Sequence, residues 1–392
     1  MKRQTLAIGL FLLVMVTGLA CALQTQAQRQ ATTGKALQAA AANYTVSGPY
    51  SHKNLTIFLI HGADQMKGKV PLTLQEALEQ KKVIVHETGD VNELAIENVS
   101  PEEVYVQSGD IVKGGRQDRV LALDLIVPPK SGRMPIESFC VEHGRWTRRG
   151  EEAAGFFNSS SNALASKDLK MAAKAKRSQQ EVWDNVAVAQ DKLAKNARVA
   201  RGSGGGAGGG DGAGYGRAGN SGGSAAQVSG GVLAGSAAAM SVEVRADASP
   251  SSLQLTLENK QVKDTASDYT KQLSTIIAGK QNVIGYVFAI NGKLNSGDVY
   301  ASNALFKKLW PKMLEASAVE AIAEFKQDEK SEPVTAEAVK AFLSASEDGR
   351  ADEQKVTPRI ALIKRETEKD LFFETRDRKQ GDAWVHRNYI RK

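Results

Sequence analysis

Residues 202–235 limit most strictly what this chain can fold into. About half of them are glycine, and most of the others are alanine, serine or asparagine. Glycine loses more conformational entropy on folding than any other residue, and a segment of this composition buries little apolar surface. We therefore expect a disordered insertion, so the core of this 392-residue chain must come from the two flanking parts.

The first 22 residues have the pattern of a secretory signal peptide. Residues 1–3 begin a basic leader, residues 6–19 are almost wholly apolar, and small residues follow. This order is typical of export, and the apolar run is shorter than the roughly 20 residues of a membrane-spanning helix. We expect cleavage after Ala22 or Ala27, or lipid attachment at Cys21. The predicted location is extracytoplasmic, with membrane attachment only through a lipid on Cys21.

Cysteine content and charge narrow the possible classes of protein. Without the signal peptide, Cys140 is the one cysteine left, so no internal disulfide can form and the fold depends on its apolar core. The formal charge is +7, and the lysine and arginine excess lies within residues 167–201. An exported protein meets little nucleic acid, so we predict no nucleic-acid partner. An anionic small molecule or an anionic component of the cell envelope is the expected partner.

The hydrophobic patterns predict an α+β fold. Short apolar strands with frequent turns run from residue 54 to residue 141, which indicates a β-rich block, either a barrel or a sandwich. Apolar residues at helical spacing then predict one long amphipathic helix over residues 162–200. A strand-and-helix segment follows the glycine-rich part. The C-terminal predictions are, in order, a hairpin at Asn291-Gly292, a helix from 303 that restarts or kinks at Pro311, a helix over 335–344, a loop at 349–353, and a meander of strands at 358–364, 371–374 and 384–389.

Two polar segments flank the strand near residue 120 and are the best candidates for a functional site. Residues 114–119 read GGRQDR and residues 140–146 read CVEHGRW. A pair of glycines lets the backbone adopt positive φ, and successive N–H groups in such a turn can form an anion-binding nest. Arginine side chains suit carboxylate or phosphate, and tryptophan stacks on rings. The predicted ligand-binding residues are Gly114, Gly115, Arg116, Gln117, Arg119, Arg145 and Trp146.

The same segments allow two other interpretations. Glu142 and His143 are candidate catalytic residues, because they could act as acid and base. Alternatively, the arginines pair with nearby carboxylates and form a purely structural network. Beyond Cys140 and His143, no pair of residues has the spacing of metal ligands, so we predict neither a metal nor a cofactor.

Several strings resemble a known family. They are residues 54–58 (NLTIF), 114–120 (GGRQDRV), 139–146 (FCVEHGRW) and 285–292 through 305–311 (GYVFAING, LFKKLWP). Together they are similar to the ARG-and-rhodanese-phosphatase-superfamily-associated domain, in which ARG denotes ADP-ribosylglycohydrolase. The resemblance implies association with enzymes that handle NAD-derived nucleotides, but no established activity. It predicts a family domain over residues 51–325, preceded by a flexible tether at 23–50 and followed by an extension at 326–392.

Two functions of different classes follow from these observations. The first is an exported ligand-binding or interaction protein with a site near residues 114–119 and 140–146. The second is a hydrolase or transferase that uses Glu142 and His143 on a phosphate-bearing or glycosidic substrate. The sequence has no strong signature of a nucleophile, metal or phosphate-binding loop, which favours the first function.

Overall fold

The computed structural model describes residues 43–202, 241–327 and 332–392. The predicted signal peptide (1–22), Cys21, most of the predicted tether and the glycine-rich segment beyond Gly202 lie outside these residues. The predicted α+β class is confirmed. Residues 45–50, which we assigned to the tether, instead belong to the first strand of a sheet.

The N-terminal block contains a closed barrel of six strands, which decides between the barrel and the sandwich. In the order in which they are paired, the strands are β10 (Arg133–Cys140), β5 (Glu93–Asn98), β4 (Val83–Glu87), β11 (Phe156–Leu164), β7 (Asp110–Gly114) and β8 (Arg119–Leu121). Alternate side chains such as Val85, Ile96 and Leu121 fill its interior. A smaller sheet of β3 (Leu72–Thr73), β6 (Val104–Val106) and β9 (Leu125–Val127) accompanies the barrel.

The second unit is an antiparallel sheet of eight strands. Their order is β1 (Thr45–His52), β2 (Leu55–His61), β12 (Val283–Ile290), β13 (Lys293–Tyr300), β17 (Ala383–Arg391), β16 (Asp370–Asp377), β15 (Ile360–Glu366) and β14 (Arg350–Lys355). The predicted meander is confirmed as β15 to β17. Because β17 pairs with β13, the meander completes this sheet. Residues 350–353, which we predicted as loop, form part of the edge strand β14.

The predicted long helix is interrupted. The structure has α2 at Lys167–Lys170, a π-helix at Met171–Lys176 and α3 at Gln179–Gly202, while the short α1 at Leu74–Glu79 precedes them in the chain. Arg177 adopts the left-handed conformation (φ 51°) between the π-helix and α3. Such a residue ends a helix, so the apolar spacing that continues across it was misleading. Residues 162–164 lie in strand β11 instead.

The other helices are α4 (Leu253–Glu258), α5 (Lys260–Leu273), α6 (Asn303–Ala323) and α7 (Ala336–Glu347), with 3-10 turns at Ser274–Ile277 and Arg378–Gln380. Pro311 lies within α6, so the helix continues through it and does not restart there. The proline removes one backbone hydrogen bond. Buried neighbours on both sides, including Trp310 and Met313, hold the helix against the sheet.

The inner strands of the eight-stranded sheet, such as β2 and β12, are buried on both faces, whereas the edge strands β1 and β14 are largely exposed. On β2, Leu55, Ile57 and Leu59 pack against α3, α5 and α6. The alternate residues Phe58 and Ile60 pack against α7. A third apolar cluster joins the barrel, the π-helix and the meander. The barrel therefore rests on the sheet through these helices, and the turn at 114–119 lies at one of its ends.

Candidate functional site

The turn between β7 and β8 requires its two glycines. Gly114 and Gly115 have φ values of 125° and 55°, conformations that other residues rarely adopt. A Cβ atom at Gly115 would lie 2.3 Å from the ring of Phe157. β8 then runs back beside β10, with Arg119 paired to Cys140. The two polar segments predicted from the sequence therefore meet at this end, which we call the barrel mouth.

The backbone donors of the predicted anion nest are already occupied. The N–H of Gly114 donates to Asp118 Oδ1 at 3.0 Å, and the N–H of Arg116 donates to Glu87 Oε2 at 3.1 Å. Gly115 donates to the carbonyl of Phe156 at 3.2 Å. These three donors already have acceptors within the protein, so an external anion at this turn must be bound by side chains.

Two arginine–carboxylate pairs contact this turn. Arg149 binds Asp118 through contacts of 2.9 and 3.0 Å, and Arg145 binds Glu142 through contacts of 2.6 and 2.7 Å. Both carboxylates are fully buried, and the N–H of Asp118 also donates to Glu142 at 3.0 Å. Ser252, from the other side of the glycine-rich segment, donates to Asp118 at 2.8 Å. This part of the site is a structural network that joins the two halves of the chain.

The two candidate catalytic residues have different environments. Burial by itself raises the pKa of Glu142, but hydrogen bonds from Arg145 and Ser249 hold this pKa below its usual value. Glu142 is therefore ionised and surrounded by donors, which is unfavourable for a general acid. His143 is exposed, and its ring lies 4.6 Å from that of Trp183 in an edge-to-face arrangement. The Trp183 indole donates to the Glu142 carbonyl at 3.1 Å.

Arg119 differs from the other arginines of the mouth because its charge is poorly paired. Its side chain is fully buried, and Nη1 donates to the carbonyl of Gln117 at 3.0 Å. Nε and Nη2 have no hydrogen-bond partner among the described residues. The nearest carboxylate oxygen is that of Glu87, 3.8 Å from Nη2. Nε and Nη2 form one edge of the guanidinium group, the edge that binds a planar oxyanion through two parallel hydrogen bonds.

Trp146 covers this arginine and is itself 41% exposed. The guanidinium carbons of Arg116 and Arg119 lie 5.4 and 5.8 Å from the centre of its ring. A cation within about 6 Å of an indole face is attracted to it. The structure thus brings Arg116, Arg119 and Trp146 together at the mouth, whereas Arg145 belongs to the network below them. Gln117 is buried and contributes its carbonyl group.

Comparison with known proteins identifies the family. A family model, that of the ARG and Rhodanese-Phosphatase-superfamily-associated Protein domain (ARPP-1), matches residues 43–390. The chain belongs to this family. The match extends well beyond residue 325, so the C-terminal meander lies within the ARPP-1 domain, as its place in the sheet indicates. No curated protein and no solved structure shows significant similarity to the chain.

Three further features of the described part of this ARPP-1 domain are its cysteine thiol, its possible metal ligands and the lengths of its apolar helices. Burial raises the pKa of Cys140 to about 11, so its thiol is a poor nucleophile at neutral pH. In residues 43–202, 241–327 and 332–392, no three histidine, cysteine or acidic side chains are grouped so as to hold a metal ion. No helix in these ranges is long and apolar enough to cross a membrane.

Three residues that matter at the mouth of the ARPP-1 barrel were not among the sequence-based candidates. Glu87 accepts from the Arg116 N–H, Arg149 pairs with Asp118, and Ser252 donates to Asp118. A charged residue that ends an apolar strand, as Glu87 does, is a usable signal. No local feature of the sequence indicated Ser252, because it lies more than one hundred residues from Asp118 in the chain.

Proposed function

We propose that this protein is an extracytoplasmic binding protein that takes up an oxyanion at the barrel mouth. The observation that supports this most directly is the unpaired Nε–Nη2 edge of the buried Arg119 beneath the half-exposed ring of Trp146. A carboxylate or phosphate group on a small molecule would satisfy both donors. Arg116 would supply a second positive charge, and Trp146 would pack against the body of the ligand.

Binding is favoured over catalysis by the state of the two candidate catalytic groups. Glu142 already accepts hydrogen bonds from Arg145, the Asp118 N–H and Ser249. Cys140 is buried, with a raised pKa. A hydrolase or transferase that uses Glu142 and His143 stays the alternative prediction, and no contact of these side chains favours it.

Export is part of the proposal and rests on the pattern of residues 1–22. Mass spectrometry of the mature N-terminus after expression with the intact leader tests it. We expect cleavage after Ala22 or Ala27, or a lipid-modified Cys21 that is lost in Cys21→Ala. A protein that keeps Met1 and stays in the cytoplasm would contradict export without affecting the binding site.

The binding proposal is tested by titration calorimetry with carboxylates, sugar phosphates, nucleotides and soluble envelope fragments. Arg119→Met should abolish any oxyanion binding, and Trp146→Ala should weaken it by about tenfold, the loss of roughly 1.4 kcal/mol of contact. Arg133→Met is the matched control, because Arg133 lies on the same barrel with a side chain that is 68% exposed.

Stability measurements on the same variants separate a site from a structural role. Removing a buried charge with weak pairing costs little, so Arg119→Met should unfold at the same or a higher denaturant concentration. Binding lost without loss of stability supports the proposal. If Arg119→Met is strongly destabilised and no oxyanion binds the wild type, Arg119 is part of the structural network and the proposal fails.

A further inference from the structure

A second group of buried charges lies at the other end of β7 from the barrel mouth, where the barrel, the π-helix, α6 and the eight-stranded sheet meet. We call it the junction cluster. Every member is at most 6% exposed. It consists of Ser108, Asp110, Asp124, Lys170, Lys174, Asp298, Lys312 and His386.

Each carboxylate of the junction cluster faces one lysine. Lys312 binds Asp110 directly, Lys174 Nζ lies 3.4 Å from Asp124, and Lys170 Nζ lies 3.7 Å from Asp298. Lys174 also donates to Ser108 Oγ at 3.0 Å. These pairs link β7 to α6, the π-helix to the loop before β9, and the end of α2 to β13.

His386 adds a fourth positive charge. Its Nδ1 lies 3.1 Å from Asp124, and its Nε2 lies 3.0 Å from Asp298. A carboxylate only accepts hydrogen bonds, so both ring nitrogens must carry a proton and the ring is an imidazolium. Burial by itself lowers the pKa of His386, but the two aspartates raise it above its usual value. With all of these groups ionised, three lysines and one imidazolium face three carboxylates, which leaves one positive charge without a counterion; burial and the neighbouring Lys170 accordingly lower the pKa of Lys174.

Several hydrogen-bonding atoms of this region also lack partners. Gln107, which precedes Ser108 in the chain, is fully buried, and within the described structure neither its Oε1 nor its Nε2 has a hydrogen-bond partner. Its backbone N–H donates to Asp110 at 3.0 Å, so the residue is anchored to the cluster. Asp298 Oδ2 has no hydrogen-bond donor either. A buried amide without partners is destabilising, and such groups call for an explanation.

Part of the backbone at the junction cluster is a π-helix. Lys174 lies in the π-helix Met171–Lys176, and Lys170 immediately precedes it. π-helices are rare and occur frequently at functional sites. Lys170 packs closely on Gly109, where an added Cβ would lie 3.0 Å from its Cε atom. Gly109 contacts Lys170 and Ser108 contacts Lys174, so the loop that begins at Gln107 lies against both lysines.

We propose that the junction cluster is a second ligand site, which holds a small oxyanion that retains one O–H group. The negative charge would balance the fourth cation. Its oxygens would accept from Lys170 Nζ and Gln107 Nε2, and its O–H would donate to Asp298 Oδ2. Hydrogen carbonate, hydrogen phosphate and small hydroxy acids share this chemistry, whereas a halide has no proton to donate. Exchange with solvent would require local opening of the surrounding helices.

Thermal unfolding at constant pH and ionic strength tests this site, because a ligand that binds only the folded state raises Tm in a saturable way. The probes are hydrogen carbonate, phosphate and glycolate, with chloride and acetate as anions that lack the O–H donor. We expect one of the first three to raise Tm above the chloride value. The increase should be lost in Gln107→Leu and Lys170→Met.

Two control variants separate this site from its surroundings. Gln254→Leu replaces another buried glutamine with an unpartnered oxygen, on α4, and should keep the full anion response. Arg119→Met removes the proposed site at the barrel mouth and should also keep it, so the two proposals fail independently. In anion-free buffer, Lys170→Met should be no less stable than the wild type, because it removes the surplus charge.

Three results would overturn the inference. The first is a wild-type Tm that responds to none of the three O–H anions more than to chloride. The second is an unchanged response in Lys170→Met. The third is strong destabilisation of Lys170→Met in anion-free buffer, because it would show that the cluster is balanced by its own side chains.

Discussion

The arginines at the barrel mouth differ in how their charges are compensated, and this difference predicts different effects of the same substitution. Arg149 binds Asp118 and Glu152 and closes a network in which Asp118 is fully buried. Arg119 makes one hydrogen bond, to a carbonyl group. A buried carboxylate depends on its partner far more than a weakly paired arginine depends on its surroundings.

Arg149→Met should therefore lower the free energy of unfolding by about 3–5 kcal/mol, because it leaves Asp118 charged and buried. Chemical denaturation measures this change. The control is Arg148→Met at the exposed neighbouring position, which should change the free energy of unfolding by less than about 0.5 kcal/mol. Equal effects of the two substitutions would contradict the network described above.

Glu347, at the end of α7, makes the stability of the protein depend on pH. Burial raises the pKa of this carboxyl group to about 7, although Arg387 and the Tyr389 hydroxyl, which donates at 2.6 Å, lower it. A folded-state pKa above the unfolded value means that the folded protein holds the proton more tightly. The stabilisation is complete below the unfolded pKa of about 4.5 and is lost as the pH rises through about 7.

Glu347→Gln should remove this dependence. The wild type should lose up to about 3 kcal/mol of unfolding free energy relative to the variant between pH 4.5 and pH 8. Denaturation curves across that range test it, with the exposed Glu353→Gln as the control. Parallel pH profiles of the wild type and Glu347→Gln would show that Glu347 titrates normally.

At the scale of single elements, the β7–β8 turn tolerates little change. Gly115 combines φ 55° with a Cβ position 2.3 Å from the Phe157 ring inside the barrel. Gly144 in the second polar segment has φ 83°, but nothing lies within 4 Å of its Cβ position. Substitutions at these two glycines therefore distinguish the cost of backbone strain alone, at Gly144, from the cost of strain combined with steric overlap, at Gly115.

Gly115→Ala should destabilise the protein by about 3 kcal/mol, because Phe157 must shift within a packed barrel. Gly144→Ala should cost only the strain of its backbone, about 1–2 kcal/mol. Thermal or chemical unfolding of both variants makes the comparison. A smaller effect at Gly115 than at Gly144 would mean that the turn is not packed as described.

At the scale of the whole molecule, the C-terminal strands and the glycine-rich segment should respond to deletion in opposite ways. β17 pairs along β13, and Ile360, Leu362 and Phe373 contribute to the central apolar clusters. Removing residues 357–392 should therefore abolish cooperative unfolding of the entire protein, as monitored by circular dichroism. A compact, cooperatively folding fragment would show that the meander is a separate unit.

Deletion of residues 204–235 is the matched control and should leave folding and ligand binding intact. The N–H of Val242 donates to the carbonyl of Ala194 at 2.8 Å. The chain therefore returns to α3 at a point about 12 Å from the C-terminal end of this helix, at a rise of 1.5 Å per residue. Residue 203 and residues 236–240 would remain, and they can span up to about 20 Å. Loss of folding in this variant would show that the segment has a structural role.

The sequence was sufficient where local patterns determine the outcome. Alternating and continuous apolar runs predicted most strands, and Asn291-Gly292 predicted the hairpin between β12 and β13. Helical spacing failed at Arg177, because one residue in the left-handed conformation ends a helix without disturbing the apolar pattern. The apolar patterns of the sequence also could not predict β14, because that strand is polar and depends on pairing with β15.

For the candidate site, the sequence by itself determined which residue types come together: glycines that permit the turn, arginines and a tryptophan. Only the tertiary structure decided which arginines bind a carboxylate closely and which do not. Arg145 and Arg149 are paired with Glu142 and Asp118, while Arg119 is buried with two donors unpaired. The junction cluster was hidden from the sequence altogether, because its charges come from elements far apart in the chain. Pairing and burial depend on long-range packing, and no local pattern records them.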